Sequence, residues 1–320
     1  MRVLFSLFLF VLPMMAMAQS VPRDWQREFP NADFTNAIID LSEIMSGGPP
    51  RDGIPALSDP QMIFASDEDG LSAREPVMVL ALEGSPARAY PLRYLTWHEI
   101  VNDVVAGQPV AVTYCPLCNT GMVFDRRLGD RVLTFGVSGR LRHSDMIMYD
   151  AETESWWQQA LGQAVVGTLA GEHLTQLVSW MDSWEAYRNE FPDGLVMVEP
   201  RSPRRYGFNP YVGYDSSSQP FLYRGENPPH DIHPLARVVR VGTRAWPLER
   251  LREAGTISEA GVTLTWTGGQ ASALDTRAIA DGRDVGTVRV SDAGGASVVY
   301  DMPFAFAFHA FHPDGEWMIN

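Results

Sequence analysis

Cysteine is almost absent from this chain: two residues in 320, Cys115 and Cys118, both within VTYCPLCNTGMVF at 112–124. Each is the other's only thiol partner within the chain, and one pair cannot staple a fold of this size, so a disulfide scaffold is excluded. Long apolar runs are missing too. The longest opens the chain, from Val3 to about Ala16 in MRVLFSLFLFVLPMMAMAQS, and falls short of the roughly 20 residues that span a bilayer. With one arginine before it and Ala16-Met17-Ala18 after it, the stretch reads as a signal peptide cleaved after Ala18. The expectation is a periplasmic or secreted protein with no membrane span in its mature form. Positive charge is scarce as well: 25 basic against 39 acidic residues, net charge −14. Such a surface repels nucleic acid, which demands clustered basic side chains, and anionic lipid headgroups. No GxSxG, HExxH, P-loop or dinucleotide fingerprint occurs, so no nucleotide cofactor is expected. The carboxylates show no spacing that singles out a glycosidase pair.

What is present suffices for a large core: 45% hydrophobic residues with nine Trp, ten Tyr and fifteen Phe. Phe34, Ile38, Leu41 and Met45 have helical spacing, stopped by Gly47-Gly48-Pro49-Pro50, which predicts an N-terminal helix. From Pro76 the pattern becomes short strand-like runs punctuated by turn residues. One further helix is expected near Trp184, Tyr187, Arg188 and Phe191, with Asp182 as its cap and PDG as its stop. A faint repeat relates SPARAYPLRYL (85–95) to GTRAWPLERL (242–251), and VAVTYCPLCNTGMVFDRR to GVTLTWTGGQASALDTR (261–277). The second copy has Thr267 and Gln270 in place of the cysteines. The expected fold is mainly β (α+β), rich in antiparallel hairpins, with two weakly repeated halves, a short N-terminal helix and one or two further helices. Its divisions would be a helical segment at 19–50, a CxxC-containing β-rich domain at 51–218, a linker or loop at 219–235 and a second β-rich half at 236–320.

Taken as a hairpin turning at Ala106-Gly107, HEIVNDVVAGQPVAVTYC opposes positions that sum to 213. Glu99 would then face Tyr114, and His98 would face Cys115 on the same side of the sheet. Three readings of Cys115, Cys118 and His98 stand open. They could bind copper or zinc, two thiolates and an imidazole favouring copper by softness; a fourth ligand would come from Met122, another histidine, water or a partner chain. They could form a thiol-disulfide redox pair with His98 as imidazolium partner, although TGMVFDRR reads as a strand, so the activating helix is missing. They could be a structural disulfide in a non-catalytic binding module, closing a loop too small to gain much entropy. Glu99 and Asp145 are placed beside the ligands as residues that would hold and orient them. His309 and His312, on an expected strand, would point to opposite faces. His143 reads as a solvated turn residue and NPYVGYDSSSQPFLY (209–223) as a Tyr-rich packed loop.

Together GGPPRDGIPALSDP, ARAYPLRYLTWHEIVND, VAVTYCPLCNTGMVFDRR, LTFGVSGRLRHSDMIMYD and TESWWQQ resemble an exported prokaryotic family catalogued as domain of unknown function 3179. The likeness runs from about Gly47 to the C-terminal FHPDG. It implies identity without mechanism, since the family carries no assigned activity. It does imply that His98–Asp103 and Cys115–Cys118 are family features. This chain departs from the pattern at Asn119, where glycine would follow the second cysteine, and at His143, where asparagine is commoner.

Overall fold

A computed structural model describes residues 21–320, so the expected signal peptide lies outside the described residues. The protein is mainly β, with five α-helices of six or seven residues among the described residues. None of them is long and apolar enough to cross a membrane. Six small sheets, one of them the two-stranded ribbon of Arg127–Leu128 and Arg131–Val132, stand in a five-bladed, propeller-like arrangement among the described residues. One orders Ile44–Ser46, Phe135–Arg142, Asp145–Asp150, Trp156–Gln158 and Gln163–Val166; its neighbour orders Gln176–Leu177, Thr120–Asp125, Gln108–Cys115, Ile100–Val105 and Leu57–Ser58. These two sheets carry the cysteines and Asp145.

The hairpin register is the one the sequence predicts. Ile100 pairs Thr113 and Val105 pairs Gln108, both summing to 213. The pairing ends at Ile100, because Leu92–His98 is a helix that the alternating pattern concealed. The chain leaves that helix through Glu99, whose backbone (φ 60°, ψ −33°) reverses direction, so His98 never comes to face Cys115. The second copy follows the same path: strand Arg244–Pro247, helix Leu248–Ala254, strands Thr256–Glu259 and Val262–Thr267. There the reversal falls on Gly255 (φ 72°, ψ −45°). The Trp266 amide donates to the Gly255 carbonyl as the Tyr114 amide donates to that of Glu99, each at 2.8 Å. The largest core cluster takes side chains from both copies, from Met78 and Tyr114 through Trp246 to Val290.

Three expected elements differ. The N-terminal helix is Arg23–Glu28 instead of a helix over 31–48. Phe34 packs edge-on against Trp156 and Ile44–Ser46 joins a sheet, so these apolar residues are spaced for an aromatic core beneath a folded-back chain. The helix Trp184–Glu190 is capped by Ser183, whose Oγ accepts from the Ala186 amide at 3.2 Å. Asp182 instead accepts from Thr287 Oγ1 and pairs with Arg289. His309 lies in a helix, Ala305–Phe311, because a run of seven residues whose first four are all buried has no period that tells helix from strand.

The GGPPRDG segment is held against the first sheet. The Gly47 amide donates to the Gly139 carbonyl at 2.8 Å, where that strand's register shifts. Gly139 has φ 74°, and a Cβ there would overlap the Pro49 carbonyl oxygen, so only glycine admits this contact. Arg51 donates to Glu154 at 2.7 Å, tying this segment to TESWWQQ.

Candidate metal centre

The turn Pro116-Leu117-Cys118-Asn119 joins two paired strands, with Cys115 opposite Thr120. Asn119 closes it with φ 54°. Asparagine tolerates this left-handed conformation, which explains how it stands in for the expected glycine. Its side chain is also employed: Nδ2 donates to the Met302 carbonyl at 2.6 Å and Oδ1 accepts from Tyr114 at 3.2 Å. The other departure, His143, is also left-handed (φ 51°) and forms a tight turn with Ser144 (φ 67°). Two successive positive φ values are the signature of a two-residue hairpin turn, and this one delivers Asp145 to the sulfurs. His143 itself is partly buried, edge-on to Phe311, rather than solvated.

Cys115 Sγ, Cys118 Sγ and a carboxylate oxygen of Asp145 lie within 4.8 Å of one another, all three residues buried. Both thiols are free. Asp145 is fixed in place: its Oδ2 accepts from Gln158 Nε2 at 2.6 Å and from the Ala160 amide at 2.9 Å. Gln159, next in the chain, accepts from Thr120 at 2.6 Å and donates to Thr113 at 2.8 Å, bracing the turn from below. The two glutamines were not singled out from the sequence, although WWQQ was there to be read.

His98 is elsewhere. Its Nδ1 donates to the Pro55 carbonyl at 2.7 Å and its Nε2 accepts from Tyr206 at 2.5 Å. Both ring nitrogens are therefore occupied, and burial lowers its pKa. The three-membered group contains Asp145 where the sequence reading had His98. Met122 lies on the strand opposite Thr113 and packs in the same apolar cluster as both cysteines.

Glu99 adds a fourth acidic group. It is buried, and its carboxyl has no hydrogen-bond partner among the described residues. Burial raises its pKa to about 8, with the Asp145 charge adding to the effect. Asp145 rises to about 6 through burial, opposed by the Ala160 and Gln158 hydrogen bonds. Burial also pushes both thiols up, Cys118 the more strongly. No basic side chain figures among the main influences on these four groups.

Above them opens a cavity of about 390 Å³, lined by Glu99, Leu117 and Met146 at its inner end and by Tyr211, Tyr214 and Phe221 along one wall. That wall belongs to the long irregular segment between Met197 and Val238, the Tyr-rich loop of the sequence reading. It is fastened to the centre: Tyr214 donates to the Leu117 carbonyl at 2.9 Å, and Ser144 Oγ donates to the Phe221 carbonyl.

A family model described as "Protein of unknown function (DUF3179)" matches residues 51–315. No curated protein and no solved structure matches the chain.

Proposed function

The chain belongs to the DUF3179 family, a family without an assigned function, and from the buried group it carries we propose that it is a metal-binding protein with Cys115, Cys118 and Asp145 as ligands. One observation carries the reading: the buried Cys115 and Cys118 thiols and the Asp145 carboxylate lie within 4.8 Å of one another, with Glu99 buried beside them. Burying such groups is costly unless a cation joins them. A divalent ion among the three would deprotonate both thiols and Asp145. Ligand atoms in a tetrahedral zinc site sit about 3.3–3.9 Å apart, given bonds of about 2.0–2.3 Å, which the 4.8 Å span accommodates with small rotamer shifts. Two sulfurs with one carboxylate oxygen suit zinc better than copper(I), because the hard oxygen replaces the imidazole that the sequence suggested. Three protein ligands leave one position open, and Glu99, which lines the neighbouring cavity, is a further acidic group close to Asp145.

Thiol-disulfide exchange is served less well. A reactive thiol needs an electropositive setting that lowers its pKa, whereas both thiols here are raised. A structural disulfide is served less well too, since the turn is already closed by Asn119 and its hydrogen bonds.

The test is elemental analysis of protein purified without chelator, followed by zinc titration against a chromophoric competitor. Near-stoichiometric zinc is expected, with affinity at least 100-fold lower in Cys118→Ser and Asp145→Asn. Failure to bind zinc at micromolar concentration, or indifference to Asp145→Asn, would remove the proposal.

A further inference from the structure

The walls of the cavity above the centre are apolar or aromatic: Ile54, Val137, Leu141, Tyr214 and Phe221 among them. Its polar groups are nearly all spent. Arg140 donates to Asp24 at 3.0 Å and to Glu28 at 2.9 Å. The Tyr214 hydroxyl is engaged on Leu117 and Phe221. Three remain without a hydrogen-bond partner among the described residues, the Glu99 carboxyl, the Tyr211 hydroxyl and Arg140 Nε, and all three residues line this space. A cavity of this volume falls within the roughly 300–1,000 Å³ of small-molecule sites, which pair apolar walls with a few unengaged polar groups.

The backbone supplies an independent argument. Glu99 occupies a positive-φ position where the second copy has glycine, with the same helix-end and cross-strand hydrogen bonds. A side chain there is strained, and strain of this kind concentrates where a group must be placed for function. The framework has a relaxed solution at this point and uses it in the copy that lacks the cysteines.

We propose that this cavity binds a small uncharged organic molecule, apolar and aromatic along its body, whose single hydroxyl or N–H donor reaches Glu99 at the inner end. The inference rests on the metal-centre reading in taking the cavity as the approach to that centre; binding itself requires only the cavity. Tyr211 adds a second hydrogen bond at the head group, and Tyr214 and Phe221 supply the aromatic wall.

Calorimetric titration of the zinc-loaded protein with 4-propylphenol and with propylbenzene tests this. The phenol should bind about tenfold more tightly, the worth of one hydrogen bond in a buried site. In Glu99→Leu the phenol's advantage should shrink, and in Glu99→Leu with Tyr211→Phe the two should bind within threefold of each other. Val212→Trp, at the exposed mouth of the cavity, should lose both while retaining zinc. Thermal melts establish that each variant is folded. Equal binding of the two probes by the wild type, binding that survives Val212→Trp, or no binding at millimolar concentration would each overturn the proposal. Metal content is measured on the same samples: phenol binding without zinc refutes the metal centre alone, and zinc without phenol binding refutes the ligand site alone.

Discussion

Replacing Glu99 with glycine should make the metal-free protein more stable at pH 7, although it removes a buried side chain. Two contributions are recovered. The backbone at φ 60° and ψ −33° costs a residue with a Cβ about 1–2 kcal/mol, which glycine avoids. The carboxyl costs more. Its pKa rises from 4.5 to about 8 on folding, so at pH 7 the native state must hold a proton that the unfolded chain has released. At 1.36 kcal/mol per pH unit, the interval from 4.5 to 7 amounts to about 3 kcal/mol. Lost methylene packing and the greater freedom of glycine in the unfolded chain return about 2 kcal/mol. The net gain is about 2 kcal/mol, a rise in Tm of about 4 °C for a chain of this length. The sign follows from linkage: an acid whose folded pKa is raised is neutral in both states below its unfolded pKa, and it penalises folding increasingly as pH climbs from 4.5 towards 8. At pH 4 the carboxyl contribution vanishes, the backbone relief and the lost packing roughly cancel, and the variant should melt at or slightly below the wild type. Differential scanning calorimetry on chelator-treated protein reads this directly. Glu99→Ala removes the carboxyl and keeps the strain, so it should melt below Glu99→Gly; Gly255→Ala should lose about 1 kcal/mol as the reciprocal control. A Glu99→Gly protein that melts at or below the wild type in metal-free buffer at pH 7 would refute the reasoning.

Zinc affinity should rise steeply between pH 6 and 8, because Asp145 and both thiols have raised pKa values and must release protons to the metal; calorimetry in buffers of different ionisation enthalpy counts those protons. Gln158→Leu should weaken zinc binding about 10–100-fold by freeing the Asp145 carboxylate, with the melting temperature as the control for folding. Asn102→Ala should cost about 2–4 kcal/mol in chemical denaturation. Its amide donates to and accepts from the Phe135 backbone at 2.9 Å, joining the two sheets that carry the centre.

The strand register around the cysteines was legible because alternation over six residues and a two-residue turn fix it locally. The third member of the centre was not. Asp145 stands 27 positions beyond Cys118 and arrives through a second hairpin on a neighbouring sheet, a juxtaposition that sequence spacing does not encode. His98 misled for a related reason. A helix of seven residues, Leu92–His98, contributes less than two turns of period, so the alternating run behind it was extended two residues too far. The repeat held more information than its pairing of motifs disclosed. Aligning Leu95 with Leu251 sets Glu99 against Gly255, and a glutamate where the other copy uses a reversal glycine was a signal that could have been read from letters alone. The cavity was beyond reach, since a loop rich in Tyr and Pro looks the same whether it packs on a core or roofs a hollow.

The turn that bears the cysteines is supported from the far end of the chain. The Phe304 amide donates to the Cys118 carbonyl at 2.8 Å, and the Met302 carbonyl accepts from Asn119. A polypeptide still being made therefore owns both sulfurs and Asp145 long before it owns their final geometry. The contacts that fix the cysteine turn are made last: a chain cut before Met302 would carry both sulfurs and Asp145 without the backbone partners, up to 183 residues away, that hold Cys118 and Asn119 in place.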